Sequence, residues 1–137
     1  MTGELLIDTS TLIDFFEDNI ASETEELMIN SELALSVATF TELYKFLLNN
    51  GKNALWSEYK RKLSAYRVLE VDQNISEKAA ELSHRFGFSF ADSVIYATAL
   101  SNGLKLLTSD SDFKGKPNVI LGKKNSKIKR KEKNKEK

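Results

Sequence analysis

Near its start the chain carries a short apolar run that ends in an acid and two hydroxyls, Leu5-Leu6-Ile7-Asp8-Thr9-Ser10. An uninterrupted apolar run of this length, without polar alternation, is typical of a strand buried on both faces. Asp8 falls at the carboxyl end of that strand, and Thr9-Ser10-Thr11 offer side chains that cap a following helix. The segment therefore predicts a β-α unit whose strand presents a carboxylate at its end.

The same alternation continues along the chain. Short apolar runs predict further strands at 33–37, 68–71, 104–107 and 119–121, and helical patterns lie between them. The predicted helices follow Thr9-Ser10-Thr11, begin near Ser22 and near Thr39, and cover 53–64, 75–86 (capped by Asn74) and 88–101. Strands that alternate with helices, and that lack a polar face, favour an α/β fold with a parallel sheet covered on both sides.

The composition excludes several classes of site. The 137 residues include no cysteine and one histidine, His84, so disulfides, thiolate zinc sites, cysteine nucleophiles and a two-histidine metal site in one chain are excluded. No apolar run reaches 18 residues, and the first residues lack a positively charged region. We therefore expect a cytoplasmic protein with no membrane segment.

The net charge of zero conceals an uneven distribution. Residues 123–137 hold nine basic and two acidic residues, a net +7, whereas residues 1–122 hold eleven basic and eighteen acidic residues, a net −7. We expect a single folded domain over 1–122 and a disordered Lys-rich tail over 123–137. The tail is compatible with an RNA-binding arm, a ribosome-docking arm or a solubilising extension.

Several acids are predicted to meet at one edge of the sheet. Asp8 and the pair Asp110 and Asp112 follow strands, whereas Glu42 and Asp92 are expected in the first turns of helices. Parallel α/β sheets bind ligands at the carboxyl ends of their strands. Carboxylates packed closely there repel one another unless a cation is bound, and oxygen-only ligands suit Mg²⁺ or Mn²⁺.

Each acid also has a purely structural interpretation. Glu42 and Asp92 stand three residues after Thr39 and Ser89, which is the spacing of a capping box. Asp8 is equally suited to cap a helix, and Asp110 and Asp112 to form a turn. Spacing alone leaves both interpretations open for every one of these residues.

Four segments, taken in order, resemble the motifs of the PIN-domain family. The first acid lies in Leu5-Leu6-Ile7-Asp8-Thr9-Ser10 and the second, Glu42, in Val37-Ala38-Thr39-Phe40-Thr41-Glu42-Leu43. The third motif is similar to Phe90-Ala91-Asp92-Ser93-Val94-Ile95-Tyr96-Ala97-Thr98-Ala99, and the fourth to Leu106-Leu107-Thr108-Ser109-Asp110-Ser111-Asp112-Phe113. Each motif is loose by itself, but together they span residues 5 to 113 in the family's order.

The resemblance implies a three-layer α/β/α fold and a metal-dependent endoribonuclease of the VapC toxin type. It implies Asp8, Glu42, Asp92 and Asp110 as catalytic metal ligands for Mg²⁺ or Mn²⁺, with Asp112 as a further or alternative ligand. Thr9, Ser10 and Thr108 would supply supporting hydroxyls. An RNA substrate, a cognate antitoxin protein and a homodimer are implied as partners.

Two other functions remain open from the sequence. One is a ribosomal-RNA-processing nuclease that uses the Lys-rich tail as a docking arm. The other is a non-catalytic module that binds RNA or protein, which the complete set of acids disfavours. Lys60-Arg61-Lys62, beside Trp56 and Tyr59, is compatible with an RNA contact or, more simply, with a solvated helix face.

Overall fold

The computed structural model describes residues 3–123. The strands are β1 Glu4–Ile7, β2 Glu32–Ser36, β3 Arg67–Leu69, β4 Lys105–Thr108 and β5 Val119–Leu121. The helices are α1 Thr9–Phe16, α2 Ser22–Ile29, α3 Val37–Asn49, α4 Trp56–Leu63, α5 Gln73–Phe86 and α6 Phe90–Ser101. Two 3-10 turns add Asn53–Leu55 and Ser111–Phe113. The predicted tail lies outside the described residues except for Lys123.

All strand pairs in the sheet are parallel, in the order β3-β2-β1-β4-β5. Leu6 in β1 pairs with Ala34 on one side and with Leu106 on the other, so β1 is the central strand. The chain adds β2 and β3 on one side of β1 and then returns to add β4 and β5 on the other. The junction of β1 and β4 is therefore the topological switch point, the place where such sheets bind ligands.

The two faces of the sheet bury different sets of side chains. Leu5 and Ile7 point into a core with helices α1 to α4, whereas Leu6 points into a second core with α6. Every residue of β1 from Leu5 to Ile7 is at most 2% exposed. This arrangement confirms the predicted three-layer α/β/α fold, with α5 packed against α6 on the outer side.

The starts of helices α3, α5 and α6 differ from the prediction; α6, predicted from residue 88, begins at Phe90 because Ser89 caps it. Helix α3 begins at Val37, because the Ser36 hydroxyl at the end of β2 accepts a hydrogen bond from the Ala38 amide at 3.2 Å and caps the helix at once. Glu42 consequently lies in the second turn of α3 and not in the first. Helix α5 is capped by Asp72, which accepts from the Ile75 amide at 2.8 Å; Asn74 lies inside the helix.

Within residues 3–123, no helix combines the length and the apolar character needed to cross a membrane.

Candidate metal centre

A cavity of about 500 Å³ opens at the carboxyl edge of the sheet, over the switch point. Four of the predicted acids line it, Asp8, Glu42, Asp92 and Asp110. They come from the end of β1, from α3, from α6 and from the turn after β4. The tertiary fold thus brings together carboxylates that are up to about a hundred residues apart in the chain.

Asp8 is the most deeply buried of these acids, with 3% of its surface exposed. Its Oδ2 accepts hydrogen bonds from the hydroxyls of Thr108 at 2.8 Å and Ser10 at 3.1 Å, and its Oδ1 accepts one from the Thr9 amide at 3.0 Å. Burial raises the pKa of Asp8, and these hydrogen bonds only partly offset that effect. Asp8 also caps helix α1. It therefore has the structural role of a helix cap and also lines the acid cavity.

Glu42 faces the cavity from the second turn of α3, while Leu43 and Leu47 of the same helix are buried in the core. The Thr9 hydroxyl donates a hydrogen bond of 2.7 Å to Oε1 of Glu42. Thr9 therefore ties the start of α1 to α3 and fixes one oxygen of this carboxylate. The family resemblance implied a supporting hydroxyl at Thr9 but did not identify Glu42 as its partner.

Asp92 lies in the first turn of α6, as predicted. The Ser89 hydroxyl caps that helix by accepting a hydrogen bond from the Asp92 amide at 3.2 Å. The pKa of the Asp92 carboxyl is raised to about 6, first by burial and then by the negative charges of Asp8 and Asp110. A side-chain hydrogen bond between Ser89 and the Asp92 carboxyl lowers this pKa in part, so Asp92 both interacts with the helix cap and lines the cavity.

Asp110 forms the turn that follows β4 and also lines the cavity. Its Oδ1 accepts a hydrogen bond from the Asp112 amide at 2.9 Å, and its own amide donates to the Thr108 hydroxyl at 3.0 Å. Asp112 is exposed and does not line the cavity, although its charge contributes to the raised pKa of Asp92. The geometry thus separates the members of this pair: Asp110, implied as a catalytic ligand, lines the cavity, and Asp112, implied as a further or alternative ligand, lies outside its lining.

The donor set suits a hard divalent cation. The cavity offers carboxylate and hydroxyl oxygens and neither imidazole nor thiolate, which is the chemistry that Mg²⁺ and Mn²⁺ prefer. Within residues 3–123, no three acidic or histidine side chains are close enough to enclose an ion as they stand. The negative charges of Asp8 and Asp110 raise the pKa of Asp92, and a bound cation would relieve this repulsion.

Sequence reasoning missed several residues that line the cavity, among them the polar residues Lys45 and Asn49 of α3. Their spacing from Glu42 is three and seven residues, which places all three on one side of a helix and was the signal available. The suggested contact between RNA and Tyr59 does not fit the structure. Tyr59 is 5% exposed and packs edge-on against Phe16, with ring centroids 5.0 Å apart. Tyr59 is therefore part of the core and is not available to stack on a base.

A parallel α/β/α sheet with an acidic cavity at its switch point defines the structural class, and comparison with known proteins identifies the family. The family model described as the PIN domain matches residues 5–118. Because that match covers most of the chain, the protein belongs to the PIN-domain family. No significant match is found among curated proteins.

Solved structures of similar fold include toxin-antitoxin proteins. A toxin-antitoxin complex from Klebsiella pneumoniae is 25% identical with a TM-score of 0.71, and the match covers 85% of this chain and 96% of that one. VapBC2 from Rickettsia felis, bound to a DNA fragment from its promoter, is 20% identical with a TM-score of 0.69, covering 89% and 99%. The Mycobacterium tuberculosis toxin VapC20, which cleaves the sarcin-ricin loop, is 19% identical with a TM-score of 0.68, covering 86% and 98%.

Proposed function

We propose that this protein is a metal-dependent endoribonuclease, the toxin of a type II toxin-antitoxin pair. The observation that carries the proposal is the convergence of Asp8, Glu42, Asp92 and Asp110 on one cavity at the switch point. Four carboxylates from four separate segments destabilise one another there. A binding site for a cation gives such an arrangement a function.

The chain's own residues would hold and orient the metal. Asp8, Glu42, Asp92 and Asp110 supply the ligand oxygens for Mg²⁺ or Mn²⁺, and Asp112 serves as a further or alternative ligand. A bound cation of this kind lowers the pKa of a water molecule and offsets negative charge on the phosphoryl group. Thr108 and Ser10 fix Asp8, and Thr9 fixes Glu42, so these carboxylates are pre-oriented before an ion arrives.

The similar solved structures support the proposal of an RNA substrate and an antitoxin partner. Several are complexes of a toxin with its antitoxin, and one toxin cleaves RNA. We propose an RNA substrate and a cognate antitoxin, which would place the activity in the cytoplasm. A ribosomal-RNA-processing role and a non-catalytic binding role are the alternatives that the experiment below must separate.

A homodimer is the proposed assembly. Phe90 is 84% exposed at the start of α6, beside an apolar cavity of about 600 Å³ between α3, α5 and α6. A large aromatic side chain exposed to this degree beside an apolar cavity is typical of a protein interface. The groove lies apart from the acid cavity, with no residue shared between the two linings.

The decisive experiment is cleavage of RNA by the purified chain with Mn²⁺, with Mg²⁺ and with a chelator. We expect metal-dependent cleavage that Glu42→Gln reduces at least a hundredfold, on the order of 3 kcal/mol of lost stabilisation. Glu81→Gln, an exposed acid on α5, is the matched control and should retain full activity. RNA binding without cleavage under all conditions would favour the non-catalytic module. Inhibition by the product of an adjacent small reading frame would separate a toxin from a processing enzyme.

A further inference from the structure

One wall of the acid cavity is formed by a single face of helix α3. Glu42, Lys45 and Asn49 all line the cavity, and their spacing of three and four residues stacks them along the helix. With a rise of about 1.5 Å per residue, Lys45 lies about 4.5 Å and Asn49 about 10 Å further along the axis than Glu42. This face therefore leads outward from the acids in a line.

Within residues 3–123, Lys45 is the one basic residue that lines this cavity. It is exposed, and none of the three ion pairs found in that part of the chain includes it. Lys52, further along the chain, is by contrast paired with Glu17 at 3.1 Å. The ammonium group of Lys45 is therefore not engaged as a counter-ion of the acids.

Charge balance indicates what this group binds. Residues 1–122 carry a net −7, which as a whole repels a polyanion. Metal ions held by the four acids would attract the phosphate that is cut, but they would not reach its neighbours along the strand. A positive side chain on the wall, one helical turn from Glu42, supplies the missing attraction. A lysine ammonium is a compact charge suited to a phosphate group.

We propose that Lys45 and Asn49 form a binding subsite for the RNA backbone, in which Lys45 binds a phosphate adjoining the scissile one and the Asn49 amide binds the next sugar-phosphate unit. This subsite rests on the proposed nuclease function and names how its substrate is held. It predicts that RNA runs along α3, outward from Glu42.

The test compares Lys45→Ala with Lys105→Ala in the full-length chain. Lys105 is an exposed lysine at the start of β4, at the opposite edge of the sheet, so both variants lose the same charge. We expect Lys45→Ala to raise KM for a short RNA about tenfold and to change kcat by less than threefold. The slope of log affinity against log salt should fall by about 0.7, the value for one phosphate contact in a single strand. Lys105→Ala should change neither.

Two further variants sharpen the test. Asn49→Ala should raise KM by a few-fold without a change in the salt slope, because its amide carries no charge. Lys45→Arg should retain most of the wild-type affinity, since it keeps the charge. A Mn²⁺ titration should give affinities within about threefold of wild type for every variant, which separates an RNA contact from a role in shaping the metal site.

These experiments give different results if the subsite is wrong and if the nuclease assignment is wrong. If wild type cleaves RNA and Lys45→Ala behaves like Lys105→Ala, the subsite is wrong and the nuclease stands. If Lys45→Ala binds Mn²⁺ more than tenfold tighter at unchanged KM, Lys45 is a counter-ion of the acids and the subsite is likewise wrong. If wild type binds RNA without cutting it, and Lys45→Ala weakens that binding with the expected loss of salt slope, the RNA-binding subsite is correct and the nuclease assignment is wrong.

Discussion

The hydroxyl of Thr108 donates a hydrogen bond of 2.8 Å to Oδ2 of Asp8, across one hundred residues of sequence. The same hydroxyl accepts the amide hydrogen of Asp110 at 3.0 Å. Thr108 is completely buried, at the last position of β4 beside the end of β1. One side chain thus holds two acid-bearing segments in register at the switch point.

Thr108→Val should lower the affinity for Mn²⁺ while the protein remains folded. The substitution keeps the shape but leaves Asp8 with one hydrogen bond fewer, which costs about 1–3 kcal/mol of stability and raises the pKa of Asp8 further. Thr98→Val is the matched control, because Thr98 is equally buried and its hydroxyl donates to the Val94 carbonyl at 2.8 Å inside α6. Mn²⁺ titration and urea unfolding measure the two effects. Equal Mn²⁺ affinity in Thr108→Val and Thr98→Val would refute the role of Thr108.

Asp92→Asn should give a folded protein that does not cut RNA. The helix cap is Ser89, so any loss of stability should not exceed about 1 kcal/mol. Loss of a ligand charge should weaken Mn²⁺ binding and slow cleavage on the order of a hundredfold to a thousandfold. The control is Asp72→Asn, which alters an acid at the start of α5 away from the cavity, where the side chain is the cap. Near wild-type cleavage combined with early melting of Asp92→Asn would make Asp92 structural.

The contribution of Asp92 to the stability of the metal-free protein should fall as the pH rises from about 4 to about 6. The pKa of Asp92 is raised from 3.8 to about 6 in the folded state, so in this window the folded protein holds a proton that the unfolded chain has released. Protonation therefore stabilises the fold below about pH 6, and this contribution is lost as the pH passes through that value. The raised pKa of Asp8 acts in the same direction.

The measurement is urea unfolding of wild type and Asp92→Asn in chelator across this range. The stability of the variant relative to wild type should increase with pH up to about 6 and then level off, because the variant has no proton to release at this position. Acids that do not interact with Asp92 contribute equally to both proteins and cancel. A difference that is flat with pH would show that Asp92 titrates normally.

Phe90→Ser should convert the proposed dimer to a monomer. Removing this exposed aromatic ring takes apolar area from the surface beside the groove of α3, α5 and α6. Ile29→Ser serves as the control, since Ile29 is 71% exposed at the end of α2 and does not line that groove. Light scattering after size exclusion reports the mass. A wild-type monomer, or a dimer that survives Phe90→Ser, would contradict the proposed interface.

Deletion of residues 123–137 should weaken RNA binding and flatten its salt dependence. The segment carries a net +7, and each phosphate that it neutralises contributes to the salt slope. Mn²⁺ affinity should be unchanged, because the four acids that line the cavity lie between residues 8 and 110 and are all retained. Binding that is unchanged at several salt concentrations would reduce the segment to a solubilising extension.

Local patterns predicted strands more accurately than helix starts. β5 was predicted at Val119–Leu121 and lies there, because an apolar run bounded by polar residues leaves little choice. The start of α3 was predicted too late, because Ser36 is both the last residue of a strand and the cap of a helix. Where one residue serves two elements, a pattern that assigns each residue to a single element misplaces the boundary.

The sequence by itself determined the order of the elements, the parallel sheet and the position of Asp8 at a strand end. These features follow from apolar runs and caps a few residues long, which act locally. Only the tertiary structure decided that Thr9 contacts Glu42, that Thr108 holds Asp8 and that Lys45 lines the acid cavity while Asp112 does not. Those relationships depend on β1 lying between β2 and β4, and that strand order is set by packing between distant segments, which local periodicity does not record.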